Sequence, residues 1–252
     1  MNNSRIRPKK IVAGIMAALV IILAGIYFTS FTPVGPLREA LPFLQSNSRV
    51  QVSQGDYAFF QPMENPAQTG FIFYPGGRVD YRSYAPLAFK LAEKGWPVAV
   101  VPMPLNLAVL GVDRASQVIR DHPEIPRWAI GGHSLGGSMA AQFEIDHPTR
   151  TTGIVFLASY PPDSQLSSTT MDVLSIYATE DGLIPLKEWD TYRPRFPSIT
   201  HWVAIQGGNH AGFGWYGLQK GDNPATISLQ TQTEQIAQSI DQFLKSIDYA
   251  SK

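Results

Sequence analysis

From Gly70 onward the chain alternates two kinds of segment. Unbroken apolar runs (Phe71 to Tyr74, Val98 to Val101, Trp128 to Ile130, Ile154 to Leu157, Val173 to Ala178, Trp202 to Ile205) are separated by stretches long enough for a helix. A strand that is apolar at every position has both faces covered, and parallel neighbours need helix-length connections. The pattern therefore predicts an α/β protein: a mostly parallel twisted sheet with helices on both faces. The helical stretches include Leu87, Ala88, Leu91 and Ala92 ahead of Gly95, Arg114 to Arg120, a segment ending at His147 and one near Leu186 to Tyr192. A final helix carries Ile236, Ile240, Phe243, Leu244 and Ile247 on one stripe. Ahead of Gly70, Val50 to Ser53 alternates apolar and polar positions and Tyr57 to Phe60 is aromatic-rich, as antiparallel strands at a sheet edge would be.

The N-terminus is different in kind. Arg5, Arg7, Lys9 and Lys10 in the basic tail (residues 1–10) precede an uncharged apolar run from Ile11 to Phe28, about the length needed to cross a hydrocarbon core as a helix. Positive charge on the leading side predicts an inside N-terminus and an exported domain, hence a single-pass membrane protein. A cleaved signal peptide, releasing a secreted protein, and a buried core helix are the alternatives; Gly25-Ile26-Tyr27-Phe28 is a poor cleavage site. Residues 29–48, with Pro33, Gly35, Pro36, Pro42 and a Ser/Asn cluster, read as a linker to a domain over 49–252.

Composition narrows the chemistry. A 44% hydrophobic and 16% charged chain is globular, and a net charge of zero offers no electrostatic case for nucleic acid. With no cysteine, thiol nucleophiles, Cys-type zinc sites and iron–sulfur clusters are excluded. The pattern of groups below needs no metal or cofactor.

Candidate chemistry gathers where apolar runs end, since the carboxyl ends of parallel strands are where ligands bind. The run to Ile130 feeds Gly132-His133-Ser134-Leu135-Gly136, a serine between glycines on a sharp strand-to-helix turn. Val173 to Ala178 leads into Asp181-Gly182, and Trp202 to Ile205 into Asn209-His210. A serine hydroxyl needs a base within hydrogen-bond reach, histidine suits near neutral pH, and a carboxylate holds the imidazole in the right tautomer. An oxyanion formed at that serine needs backbone donors. Leu135 after the nucleophile offers one, and Gly77 in the first strand-exit loop the other, with Arg78 as fallback. Glu180 competes with Asp181 as the acid. The remaining histidines have ordinary placements: His122 and His147 precede prolines at helix ends, His201 starts a strand, and His133 is a variable position of the motif.

On these residues the sequence resembles the alpha/beta-hydrolase superfamily over about residues 50–248, with the nucleophile, acid, histidine chain order of that fold. Tyr74-Pro75-Gly76-Gly77, Ala85 to Ala88, Met103 to Ala108, Gly131 to Gly137 and Gly207 to His210 are similar to small membrane-anchored bacterial hydrolases related to the dienelactone-hydrolase branch. The resemblance implies Ser134 as nucleophile, Asp181 as acid and His210 as base in cleavage of a small-molecule carboxylic ester, with thioesters or amides as variants. An acyltransferase on the same triad and a non-catalytic membrane-tethered binding protein are the alternatives. The short gap between Ala158 and Val173 leaves no room for a sizeable lid domain. Asn106, Leu107, Tyr160, Phe213 and Trp215 are expected as walls of an open substrate site.

Overall fold

The computed structural model describes residues 32–250. The basic tail and the expected span over 11–28 lie outside these; among the described residues no helix is long and apolar enough to cross a membrane. Eight strands form one sheet: β1 (Val50–Gln54), β2 (Ala58–Pro62), β3 (Thr69–Tyr74), β4 (Val98–Val100), β5 (Arg127–His133), β6 (Ile154–Leu157), β7 (Val173–Ala178) and β8 (His201–Ile205), in the order β1-β2-β4-β3-β5-β6-β7-β8. The first two pair antiparallel at one edge and β4 onward is parallel. Among the described residues the helices are α1 (Ala85–Glu93), α2 (Arg114–Asp121), α3 (Leu135–Asp146), α4 (Trp189–Tyr192) and α5 (Leu229–Ala250).

Strand periodicity explains the two-sided core. In β3 every residue is buried, and side chains two apart share a face. Phe71 and Phe73 join α1 and α5 in one core, with Leu91, Ile236, Ile240 and Leu244. Ile72 and Tyr74 join the opposite one, with Val118 of α2 and Ala140 and Phe143 of α3. Strand β5 runs beyond its apolar stretch, through Gly131, Gly132 and His133, because its backbone is paired there by β3 on one side and β6 on the other. That pairing carries rigid support up to Ser134.

The stretch expected as a linker over 29–48 is part of the folded unit from Val34 on. Val34 bridges to Val79, the Leu37 amide donates to the Trp215 carbonyl at 2.7 Å, and Ala40 and Leu44 in a 3-10 helix (Arg38–Leu44) are buried. Phe43 packs edge-on against Phe89 and Trp215. Prolines and glycines there shape a wrapped segment, a conformation that composition does not distinguish from an extended tether.

Candidate active site

Ser134 stands at the sharp turn between β5 and α3 with φ 51° and ψ −123°. A non-glycine residue in the left-handed region is strained, and the strain is held from both sides. The Ser134 amide donates to the Leu157 carbonyl at 3.0 Å, and its own carbonyl accepts from the Gly137 amide and the Ser159 hydroxyl. The flanking glycines are required by close approach: a Cβ on Gly132 would come within 2.5 Å of the Tyr74 carbonyl oxygen, and one on Gly136 would overlap the Tyr74 and Pro75 carbonyls. The start of α3 thus lies against the end of β3, with its free N–H groups beside the serine.

Asp181 and His210 leave the ends of β7 and β8 and meet. The Asp181 Oδ2 to His210 Nδ1 distance is 2.8 Å, with the side chains 1% and 2% exposed. Asp181 Oδ1 accepts the Leu183 and Ile184 amides at 2.8 and 2.7 Å. Both carboxylate oxygens are therefore acceptors, so Nδ1 carries the hydrogen and Nε2 keeps its lone pair. His210 and Ser134 line one cavity of about 310 Å³ with Leu135, Tyr160, Leu183 and Ile184. Among the described residues no hydrogen bond joins the Ser134 hydroxyl to the His210 imidazole. Among the described residues no hydrogen bond joins Glu180 to His210; the Glu180 amide donates to the Gly208 carbonyl at 2.8 Å and its carboxylate lies by Thr179.

A second carboxylate, unremarked in the sequence, braces these two loops. Asp222 accepts the amides of Gly182 (2.9 Å), His210 (3.3 Å), Ala211 (2.8 Å) and Asn223 (3.0 Å). It ties the turn after Asp181 to the backbone of His210. Gly221-Asp222-Asn223-Pro224 reads as an ordinary turn, and no local signal marks its reach across two other loops.

The donors near the serine can be sorted by elimination. The Gly76 amide is spent on the Tyr84 hydroxyl at 3.0 Å, and the Arg78 amide on the Asn106 carbonyl at 2.7 Å. The amides of Gly77 and Leu135 have no hydrogen-bond partner among the described residues. The two residues are neighbours, since a Cβ on Gly77 would sit 3.2 Å from Leu135 Cδ2. Tyr84 is fully buried, and burial holds its phenol protonated. Accepting from Gly76, it donates to His133 Nδ1 at 2.8 Å. His133 is correspondingly neutral: burial first, then the charge of His210, pushes it well below the usual imidazole range. Its ring lies 4.6 Å from that of His210 and stacks on Phe213 at 5.7 Å. The variable position of the motif is thus a buried support beside His210.

The expected walls divide. Tyr160 lines the cavity, and Leu107 reaches to 4.0 Å from a Cβ position on Gly77. Asn106, at φ 57°, contributes its carbonyl to the Arg78 amide. Phe213 and Trp215 are not cavity walls: Phe213 backs His133, and Trp215 donates its indole N–H to Thr233 on α5 at 2.9 Å while packing on Phe43. Ser138, Leu183 and Ile184 line the cavity in addition.

A serine on a strained strand–helix turn and a buried Asp–His pair at later strand exits place the protein in the class of α/β folds that carry hydrolytic sites. Residues 70–234 match the alpha/beta hydrolase family, and the chain belongs to it. No curated protein matches the chain at a significant level. Among solved structures it is similar to propionate-bound esterase 2 of the planctomycete Thermogutta terrifontis, with TM-score 0.58 and 15% identity over 84% of this chain and 97% of that one. It is also similar to an alpha-beta serine hydrolase homologue from Coxiella burnetii (TM-score 0.54, 15% identity, 77% and 98% coverage). A third is MGS-MChE2, an alpha/beta hydrolase enzyme from a sediment metagenome of the Mar Chica lagoon, Morocco (TM-score 0.57, 14% identity, 79% and 99%). At these identities the likeness is one of fold. Family and fold together support hydrolase activity.

Proposed function

We propose that the protein is a serine hydrolase that cleaves small carboxylic esters through an acyl-serine intermediate. Ser134 Oγ attacks the ester carbonyl while His210 Nε2 takes its proton. Asp181, fixed by two backbone amides, stabilises the imidazolium. The Gly77 and Leu135 amides receive the negative charge of the tetrahedral intermediate. His210 returns the proton to the departing alcohol, and water repeats the sequence in reverse roles to release the acid. The observation that carries the reading is the buried 2.8 Å Asp181–His210 contact, with the imidazole and Ser134 on one cavity.

The size of the cavity favours a short acyl group, being near the lower end of ligand-binding volumes, which start at ~300 Å³. The Thermogutta esterase with propionate or butyrate bound is consistent with this. Only a short segment with a 3-10 turn (Gln165–Ser168) joins β6 to β7, so water reaches the site without a lid to open. That favours hydrolysis over transfer to another acceptor. The motif likeness to membrane-anchored relatives of the dienelactone-hydrolase branch, and the run over 11–28, support a single-pass protein with the domain exported.

Labelling with a fluorophosphonate probe tests the assignment. The wild-type protein should be modified at Ser134 and hydrolyse a short activated ester, and Ser134→Ala should lose both while melting at the same temperature. Retained turnover in that variant rejects the proposal.

A further inference from the structure

We propose that the end of the sheet bearing the cavity mouth rests on a lipid bilayer, and that the ester is taken from the membrane surface. This rests on reading residues 11–28 as a membrane span and, for its substrate class, on the hydrolase site proposed above. The chain joins the folded unit at Val34, whose amide donates to the Arg78 carbonyl at 2.7 Å and whose carbonyl accepts the Asp80 amide at 3.0 Å. The point of attachment therefore lies on the strand-exit loop that contains Gly77. Only residues 29–33 separate Phe28 from Val34, a reach of about 20 Å at ~3.3–3.6 Å per residue. A folded unit of this size has a radius of gyration of about 17 Å. The strap is shorter than the domain is wide, so the end that carries Val34 stays beside the bilayer.

The side chains at that end fit such a surface. Val34, Leu105, Val109, Leu110, Leu186 and Leu218 are large, apolar and exposed, Leu218 to 93%. All stand at the attachment point or on the loops that follow β4, β7 and β8. Met63 and Ile199 are exposed at the opposite end, before β3 and β8. A hollow of about 240 Å³ lined by Gly77, Val34, Tyr216 and Leu218 opens the donor side of the site onto the same rim. Exposed Arg78, Lys187 and Lys220 share this end with exposed Asp113 and half-buried Asp163. Contact is therefore apolar and does not need anionic lipid.

The absence of cysteine makes the test direct. The full chain carrying Leu218→Cys or Met63→Cys is labelled with a nitrobenzoxadiazole fluorophore and reconstituted into phosphatidylcholine bilayers with nitroxide-labelled lipid. Emission from position 218 should fall at least ~2-fold more than from position 63, and it should do so at high salt. Equal quenching, or stronger quenching at 63, overturns the proposal, as does finding residues 11–28 removed from the mature protein. For the substrate class, Val109→Ser with Leu110→Ser should leave turnover of a water-soluble short ester unchanged and lower that of a bilayer-embedded ester several-fold. Equal effects on both esters overturn it. The quenching is read equally well in Ser134→Ala, and fluorophosphonate labelling reads the site without the membrane, so the two proposals fail separately.

Discussion

Asp222 gives the sharpest test of how the base is held. Its carboxylate gathers the amides of Gly182, His210 and Ala211 from two other loops. Hydrogen bonds to a charged group contribute ~1.5–3 kcal/mol each, and water can replace part of that at a half-buried site. At ~1 kcal/mol per cross-loop bond, Asp222→Ala should cost about 3 kcal/mol of local stability. The Asp181–His210 contact survives in chemical identity but loses its backbone brace, and a misplacement of about 1 Å at a reacting group costs on the order of 100-fold. The expected outcome is a kcat lower by ~100-fold, with KM changed far less, because no cavity wall is altered. Asp222→Asn keeps one acceptor oxygen and should fall between the two. Steady-state kinetics well below each variant's melting temperature, with amide exchange at Gly182, His210 and Ala211, separate positioning from unfolding. Unchanged kcat with accelerated exchange would show that the imidazole is placed by Asp181 alone. Unchanged exchange would refute the brace itself.

Three further outcomes follow from the same geometry. His133 is held neutral by burial, so its folded pKa lies below the unfolded value of ~6.5; its contribution to stability is complete above that pH and lost as pH falls below it. Denaturant titrations should show wild-type stability falling by up to ~1.4 kcal/mol per pH unit below pH ~6.5 from this group, and His133→Asn should remove that part of the slope. Tyr84→Phe removes the partner of both the Gly76 amide and His133 Nδ1, and should lower stability by about 2–4 kcal/mol in a urea melt; an unchanged midpoint contradicts the buried pair. Gly136→Ala drives a Cβ into the Tyr74 and Pro75 carbonyls, so it should fail to give soluble protein or lose more than ~3 kcal/mol; a wild-type melt would mean the turn is looser than described.

The strands were legible because burial on both faces leaves unbroken apolar runs, and Phe71 to Tyr74 needs no context to be read. The residues at strand exits were legible for a different reason. Ser134, Asp181 and His210 each follow a run that a parallel sheet must end at one edge, so topology alone brings them to one side. What stayed hidden depends on contacts between loops. Asp222 sits in a turn that looks ordinary, and His133 occupies a motif position open to many residues; only the Tyr84 hydroxyl, distant in sequence, explains its burial. Phe213 and Trp215 are expected from the sequence as walls of the substrate site. They instead support His133 and anchor the N-terminal segment on α5. The linker reading gives way from Val34 on for a related reason: Pro and Gly mark bends, whether the bent chain is free or wrapped.

The sorting of amides around Gly77 bears on inhibitor chemistry. With the Gly76 and Arg78 amides already spent, the Gly77 and Leu135 amides are the donors proposed for an incoming oxygen, and neither has a hydrogen-bond partner among the described residues. A boronic acid, which turns tetrahedral and anionic on meeting the serine, would satisfy both at once. A flat amide isostere offers neutral oxygen at another angle and forfeits that pairing, so the gap in potency between two such compounds of equal bulk measures how rigidly the pair is preset.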